Sequence, residues 1–214
     1  MEFIDPFLDQ YVCEHTSPES ELLQKINRET HADVLQPRML SGHFQGRVLS
    51  MFSKMIQPNR ILEIGTYTGY SALCLAEGLA DQGKIITIDV NEELENRVRG
   101  YFESSKYRDK LIYLIGDAIK LIPEIKENWD IVFIDADKLN YLNYYQLVFD
   151  SVTVGGYIIA DNVLWSGKVV DSTKQDRETN LLREYNQFVH DDPRVEQVLM
   201  PIRDGLMITR KISE

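Results

Sequence analysis

The run Asp130-Ile131-Val132-Phe133-Ile134-Asp135-Ala136-Asp137-Lys138 and the run Gly155-Gly156-Tyr157-Ile158-Ile159-Ala160-Asp161-Asn162 are rich in apolar residues, and each ends abruptly in acids or an amide. An almost continuous apolar run suits a strand buried on both faces, as in a parallel sheet. A tip that turns polar at its carboxyl end opens into a site. Leu139 to Val154 is long enough for a crossover helix, so the two strands are expected as parallel neighbours with a right-handed connection. Asp135, Asp161 and Asn162 then stand side by side. All three offer oxygen, which suits a hard ion such as Mg²⁺, Ca²⁺ or Mn²⁺.

The rest of the chain supplies the frame for that pair. Asp5 to His15, Pro18 to Leu35 and Gly42 to Ile56 carry apolar residues at helical spacing, with Ser17-Pro18 as a cap followed by proline at the first helical position. From Arg60 the rhythm alternates. Strands are expected at Arg60 to Ile64, Ile85 to Asp89 and Leu111 to Ile115, and helices at Gly69 to Ala80, Glu92 to Ser105 and Ala118 to Ile125. A polar stretch from Ser166 to Asp176, a helix from about Arg177 to His190, and strands at Val195 to Met200 and Gly205 to Lys211 complete the series, with Asp204-Gly205 as a short hairpin turn. The expected fold is α/β: a doubly wound, mostly parallel sheet of seven strands with an antiparallel C-terminal pair and leading helices.

With 214 residues and no linker-like stretch, the chain reads as one domain, residues 1–214, in which 1–57 form an N-terminal helical cap. Cys13 and Cys74 lie in helical patterns without metal spacing, which suggests free thiols in a reducing compartment. Met1 to Pro6 has no basic segment leading into an apolar run, and no apolar stretch is long enough to span a bilayer. The expectation is a cytoplasmic protein without membrane contact. A net charge of −11 weighs against an extended nucleic-acid surface. The four histidines, His15, His31, His43 and His190, have neither ligand spacing nor a partner nucleophile.

Leu62-Glu63-Ile64-Gly65-Thr66-Tyr67-Thr68-Gly69-Tyr70-Ser71 joins the first strand to its helix, and its two glycines allow a tight turn and close approach of a ligand. It lacks the third glycine of a dinucleotide fingerprint, and no P-loop is present, so neither pyrophosphate nor a nucleoside triphosphate is favoured. Asp89 ends the second strand, where acids of open α/β sheets accept bonds from ribose hydroxyls; a helix cap for Asn91 onward is the plainer use. Asp117, in Gly116-Asp117-Ala118, sits where an adenine edge would be read and is as readily a simple cap. Three ligand-like tips after three successive strands are hard to explain as independent caps.

Taken in order, Leu62 to Ser71, Asp89, Gly116-Asp117-Ala118, Asp135 to Lys138 and Asp161-Asn162 resemble the cation-dependent, S-adenosylmethionine-dependent O-methyltransferases, the group that includes caffeoyl-CoA and catechol O-methyltransferases. The likeness covers nearly the whole chain, including Gln45-Gly46, Asp161 to Gly167, Asp192 to Glu196 and Asp204-Gly205-Leu206. It implies a Rossmann-like methyltransferase fold and a homodimer. Glu63, Gly65, Tyr67 and Ser71 would line the methionine and ribose end of the cofactor. Asp89 would hold the ribose hydroxyls, Asp117 and Ala118 would meet the adenine, and Asp135 would border the same site. Asp135, Asp161 and Asn162 would bind a divalent cation, Mg²⁺ before Ca²⁺ or Mn²⁺, Lys138 would be the base, and Trp165 would wall the planar acceptor.

The implied activity is methyl transfer to a hydroxyl of a catechol-like small phenol that chelates the ion. Lys168 to Arg177 is short and polar and does not match the longer acyl-CoA-binding insertion of the plant enzymes, so the likeness does not extend to a coenzyme A thioester. The alternative is methylation of a hydroxylated tRNA base of the 5-hydroxyuridine type, for which Arg97, Arg99, Lys106, Arg108 and Lys110 would supply a local basic patch.

Overall fold

The structure is a computed structural model that describes residues 5–214. The expectation about a leader segment at Met1 to Ile4 lies outside the described residues. The elements in chain order are α1 (Pro6–Glu14), α2 (Glu21–Asp33), α3 (Gly42–Ile56), β1 (Arg60–Ile64), α4 (Tyr70–Ala76), β2 (Lys84–Asp89), α5 (Glu95–Glu103) and β3 (Leu111–Ile115). They continue with α6 (Ala118–Leu121), β4 (Trp129–Ile134), α7 (Tyr141–Phe149), β5 (Val152–Ala160), α8 (Arg177–Asp191), β6 (Val195–Met200) and β7 (Leu206–Lys211).

The strands form one seven-stranded sheet in the order β3-β2-β1-β4-β5-β7-β6. The β2–β3, β1–β4 and β4–β5 pairs are parallel, while β7 runs antiparallel to both β5 and β6. This is the expected mostly parallel sheet with an antiparallel C-terminal pair. The chain divides into two compact units, one of residues Ile61–Gly65 and Ala118–Glu214 and the other of residues 5–60 and Thr66–Asp117.

In the first unit the apolar runs of β4 and β5 are the core. Ile131, Val132, Phe133, Ile134, Ile158, Ile159 and Ala160 are buried, and Tyr141, Tyr145 and Val148 of α7 with Leu182 and Tyr185 of α8 are buried as well. At roughly 1.5–3 kcal/mol for each fully buried large apolar side chain, this packing is the main stabilising term of the unit. In the second unit Leu49 of α3, Leu73 and Leu75 of α4, Ile85 and Ile88 of β2 and Val98 of α5 are buried.

Several boundaries differ from the sequence expectation. α2 begins at Glu21 and not at Pro18: Ser20 Oγ accepts the Leu23 N–H at 3.3 Å, while the carbonyl of Ser17 accepts from His43 Nε2 at 2.7 Å. α4 stops at Ala76, and a Cβ on Gly78 would fall 2.1 Å from the Ser53 carbonyl carbon, so the chain passes α3 there without a side chain. The helix from Glu92 opens as a 3₁₀ turn, Glu92–Leu94. The one from Ala118 closes as another, Ile122–Glu124, because Pro123 cannot donate a helical bond. Asp204-Gly205 is not a two-residue hairpin. Met200 pairs with Leu206, the connection spans residues 201–205, and the Gly205 N–H closes it on the Ile202 carbonyl at 2.9 Å.

Among the described residues no helix is long and apolar enough to cross a membrane. Cys13 and Cys74 are both free thiols, and burial pushes the Cys74 thiol up to about 12.

Candidate active site

In the first unit, Ile64 of β1 lies opposite Ile134 of β4, and Ile134 lies opposite Ala160 of β5, so Asp135 and Asp161 leave neighbouring parallel strands at one level. The Asp161 N–H donates to the Ile134 carbonyl at 2.9 Å and holds that level. Strand order reverses between β1 and β4, and the carboxyl ends of strands at such a reversal form the crevice where open α/β sheets take ligands. Gly65, with φ +102°, ends β1 there; a Cβ on it would lie 2.0 Å from the Asp135 carbonyl oxygen, so only glycine permits this approach.

Lys138 follows Asp135 in a 3₁₀ turn, Lys138–Asn140, and is only 8 % exposed. Its Nζ donates to Asn162 Oδ1 at 2.8 Å, to the Tyr141 hydroxyl at 2.6 Å and to Asp135 Oδ1 at 3.3 Å. An ammonium has three N–H donors, and all three are used. Asn162 adopts the left-handed conformation at φ 59°, and its N–H donates to Asp161 Oδ1 at 2.7 Å. Lys138 thus joins the side chains of Asp135 and Asn162, and Asp161 meets Asn162 through the Asn162 N–H.

Among the described residues no three His, Cys, Asp or Glu side chains cluster to hold a metal. An ion at this end of the sheet would depend on the Asn162 amide as its third protein ligand, an all-oxygen set that fits a hard divalent cation. Asp137 is not part of that set. Its carboxylate accepts from Asn140 Nδ2 at 2.9 Å and from the Tyr144 hydroxyl at 2.6 Å.

The chain beyond Asn162 is held in a tense loop. Trp165 and Ser166 have φ 49° and 54°, a conformation that costs non-glycine residues on the order of 1–2 kcal/mol each. It is clasped by the β6–β7 connection. The N–H groups of Val163 and Leu164 donate to the carbonyls of Gly205 and Asp204 at 3.2 and 2.9 Å, and that of Ser166 donates to the Asp204 carboxylate, whose pKa burial raises. The Trp165 ring centroid lies 6.0 Å from Lys138 Nζ and 5.3 Å from Lys168 Nζ. The polar stretch after it is ordered by Arg183 of α8, whose guanidinium donates to the carbonyls of Lys168, Val169, Asp171 and Lys174 at 2.6–2.9 Å.

In the second unit the turn before α4 is tied to β2. The Tyr67 N–H donates to Asp89 Oδ2 at 2.7 Å, the Asn91 N–H donates to Asp89 Oδ1 at 2.9 Å, and the hydroxyls of Thr66 and Thr87 meet at 2.6 Å. Asn91, not Asp89, caps the following turn, through the Glu93 N–H at 2.9 Å. Each Asp89 oxygen thus accepts one backbone bond and keeps a lone pair for a hydroxyl donor, which fits a ribose diol. Gly69, at φ 78°, opens α4, with Ser71 buried in its first turn. Asp117 is half-buried after Gly116, whose N–H donates to the Asp89 carbonyl at 2.8 Å. In the first unit, Ala118 is buried at the start of α6 and Glu63 is wholly buried in β1.

The basic residues considered for RNA are largely engaged locally. Arg97 pairs with Asp33 at 3.2 Å, Arg99 pairs with Glu95 at 2.8 Å and stacks over Tyr113, and Lys110 donates to the Ala80 carbonyl.

Sequence reasoning missed three contributors. Tyr141 stands three residues after Lys138, a spacing that places both on one side of a turn. The reach of Arg183 to four carbonyls, and of Asp204 to Ser166 38 residues away, leaves no local pattern.

A family model described as O-methyltransferase matches residues 13–212. Over 96 % of its length the chain is 34 % identical to caffeoyl-CoA O-methyltransferase 2 of Eucalyptus globulus, covering 89 % of that protein, and 35 % identical to caffeoyl-CoA O-methyltransferase of Medicago sativa, also covering 89 %. An O-methyltransferase from Bacillus cereus, solved in complex with SAH, superposes with a TM-score of 0.88 at 28 % identity, covering 96 % of this chain and 97 % of that one. Since the family match takes in all but the two ends of the sequence, the chain belongs to the O-methyltransferase family.

Proposed function

We propose that this protein transfers the methyl group of S-adenosylmethionine to one hydroxyl of a vicinal dihydroxy aromatic small molecule, with Asp135, Asp161 and Asn162 holding a divalent cation, Mg²⁺ first, and Lys138 taking the proton. The observation that carries the reading is the buried Lys138 ammonium bonded to Asn162 and Asp135 where two parallel strands end. The SAH-bound relative supports the cofactor, and the plant relatives, by their names, support a phenolic acceptor.

When bound, the cation would supply Lewis acidity that favours ionisation of a neighbouring hydroxyl. With three protein oxygens, about three positions of an octahedral ion are left for water and two adjacent acceptor oxygens. As the neutral amine, its extra proton first given up to water, Lys138 would have a lone pair free to accept the proton that the acceptor hydroxyl loses. Trp165 presents a planar wall that orients the ring, so that the oxygen and the sulfonium methyl meet in line. Asp89 and the Tyr67 backbone would meet the ribose, and Glu63, Gly65, Ser71, Asp117, Ala118 and Asp135 would meet the remainder of the cofactor.

Methylation of a hydroxylated tRNA base draws less support, because most of the basic residues it would need are paired within the protein. The test is release of S-adenosylhomocysteine from a panel of catechols, a catechol carried as a coenzyme A thioester, and 5-hydroxyuridine-containing tRNA. Turnover on free catechols is expected. Turnover on the tRNA alone would overturn the proposal.

A further inference from the structure

We infer that Tyr141 is a positioning residue for Lys138, the group that keeps the lysine in place once a divalent cation has taken the oxygens of Asp135 and Asn162. The inference rests on the cation site proposed above and adds to it a residue that touches neither acceptor nor ion.

The three acceptors around the Lys138 ammonium are not equivalent. Asn162 Oδ1 and Asp135 Oδ1 are the oxygens an ion would claim, and a bound cation would turn their lone pairs away from the ammonium and repel it. Only the Tyr141 hydroxyl, at 2.6 Å, would remain. A phenol has a single hydrogen to give, and Tyr141 gives it to the Asp161 main-chain carbonyl at 2.9 Å. Its oxygen therefore faces Lys138 as an acceptor, which meets an N–H of the amine as well as of the ammonium and leaves the amine's lone pair free for the acceptor hydroxyl.

The hydroxyl is itself fixed. Tyr141 is 1 % exposed, opens α7, and packs edge-on against Tyr185 of α8 with ring centroids 5.6 Å apart at 86°. The Lys138 Nζ lies 4.7 Å from the Tyr141 ring centroid, a contact that phenylalanine would keep. Tyr141→Phe thus removes the hydrogen bonds alone and leaves the ring packing.

The experiment is a double-mutant cycle on the full chain: wild type, Tyr141→Phe, Lys138→Met and the double variant. Mn²⁺ binding is read by electron paramagnetic resonance, and kcat and KM are read with a catechol. Tyr141→Phe is expected to weaken Mn²⁺ binding roughly three- to tenfold, because the lysine loses its anchor in the loaded state. It should lower kcat by about tenfold with acceptor KM nearly unchanged. In the Lys138→Met background the same substitution should change neither quantity, since residues acting through one another are not additive.

Equal weakening in both backgrounds would show that Tyr141 acts through the Asp161 backbone or the fold, and no weakening in either would show that it is idle; both overturn the inference. A wild type that binds no Mn²⁺ would instead bring down the cation site itself, and the inference with it.

Discussion

Asp89 Oδ2 accepts the backbone N–H of Tyr67 at 2.7 Å, so the acid at the tip of β2 sets the turn that precedes α4 and keeps lone pairs for a ligand. Asp89→Ala is expected to weaken S-adenosylmethionine binding by about 1.5–3 kcal/mol, the range for hydrogen bonds to a charged group. Asp89→Asn, which keeps an acceptor, should lose less. Calorimetry that finds the alanine variant unchanged would remove Asp89 from the ribose site.

The second unit contains an ion pair with a pH signature. Glu77 accepts from Arg47 at 2.8 and 2.9 Å, from Ser50 at 2.7 Å and from Lys54 at 3.0 Å. Burial alone would raise its pKa, and these bonds overcome burial and bring it down to about 2. A carboxylate whose folded-state pKa is depressed stabilises the fold above its ordinary range and loses that contribution as pH falls through the folded value. Glu77→Gln is therefore expected to cost on the order of 2 kcal/mol at neutral pH, with the deficit shrinking below about pH 4.5 and gone near pH 2. Denaturant melts of both proteins across that window check this; a deficit independent of pH would point to packing.

How much of this could be read beforehand depends on how local the signal is. Parallel strands buried on both faces leave continuous apolar runs, and their polar tips at Asp89, Asp135 and Asp161 were visible for that reason. The placement of β7 between β5 and β6 is set by long-range pairing, and only the antiparallel pair itself left a trace. Ser17-Pro18 looked like a cap, yet Ser20 won because the Ser17 carbonyl serves His43, 26 residues on. Asp204-Gly205 imitated a tight turn while its carboxylate was committed to Ser166. Arg47 and Glu77, 30 residues apart, carried no pattern at all.

Association into a homodimer is expected from the family likeness, and α1, none of whose residues is buried, exposes Phe7, Leu8 and Tyr11. Light scattering across micromolar concentrations should return twice the chain mass. A single-chain mass throughout would count against it.

Lys138→Ala should lower kcat by about 10²-fold with a smaller change in KM, as expected for a general base acting in the transition state. A nitrocatechol, whose hydroxyl ionises more readily, should show a smaller deficit. An equal deficit with both acceptors would mean that Lys138 positions the acceptor and does not take its proton.

Removal of the divalent ion bears most directly on the proposed chemistry. Purified protein stripped with EDTA would be assayed for S-adenosylhomocysteine release with a catechol and with the matching monophenol, before and after Mg²⁺ is restored. The expected result is turnover of the catechol alone, abolished by stripping, restored by Mg²⁺, and not restored in Asp135→Ala or Asp161→Ala. Full turnover by the stripped wild type, or equal turnover of the monophenol, would contradict a cation held by Asp135, Asp161 and Asn162 as the organiser of the reaction.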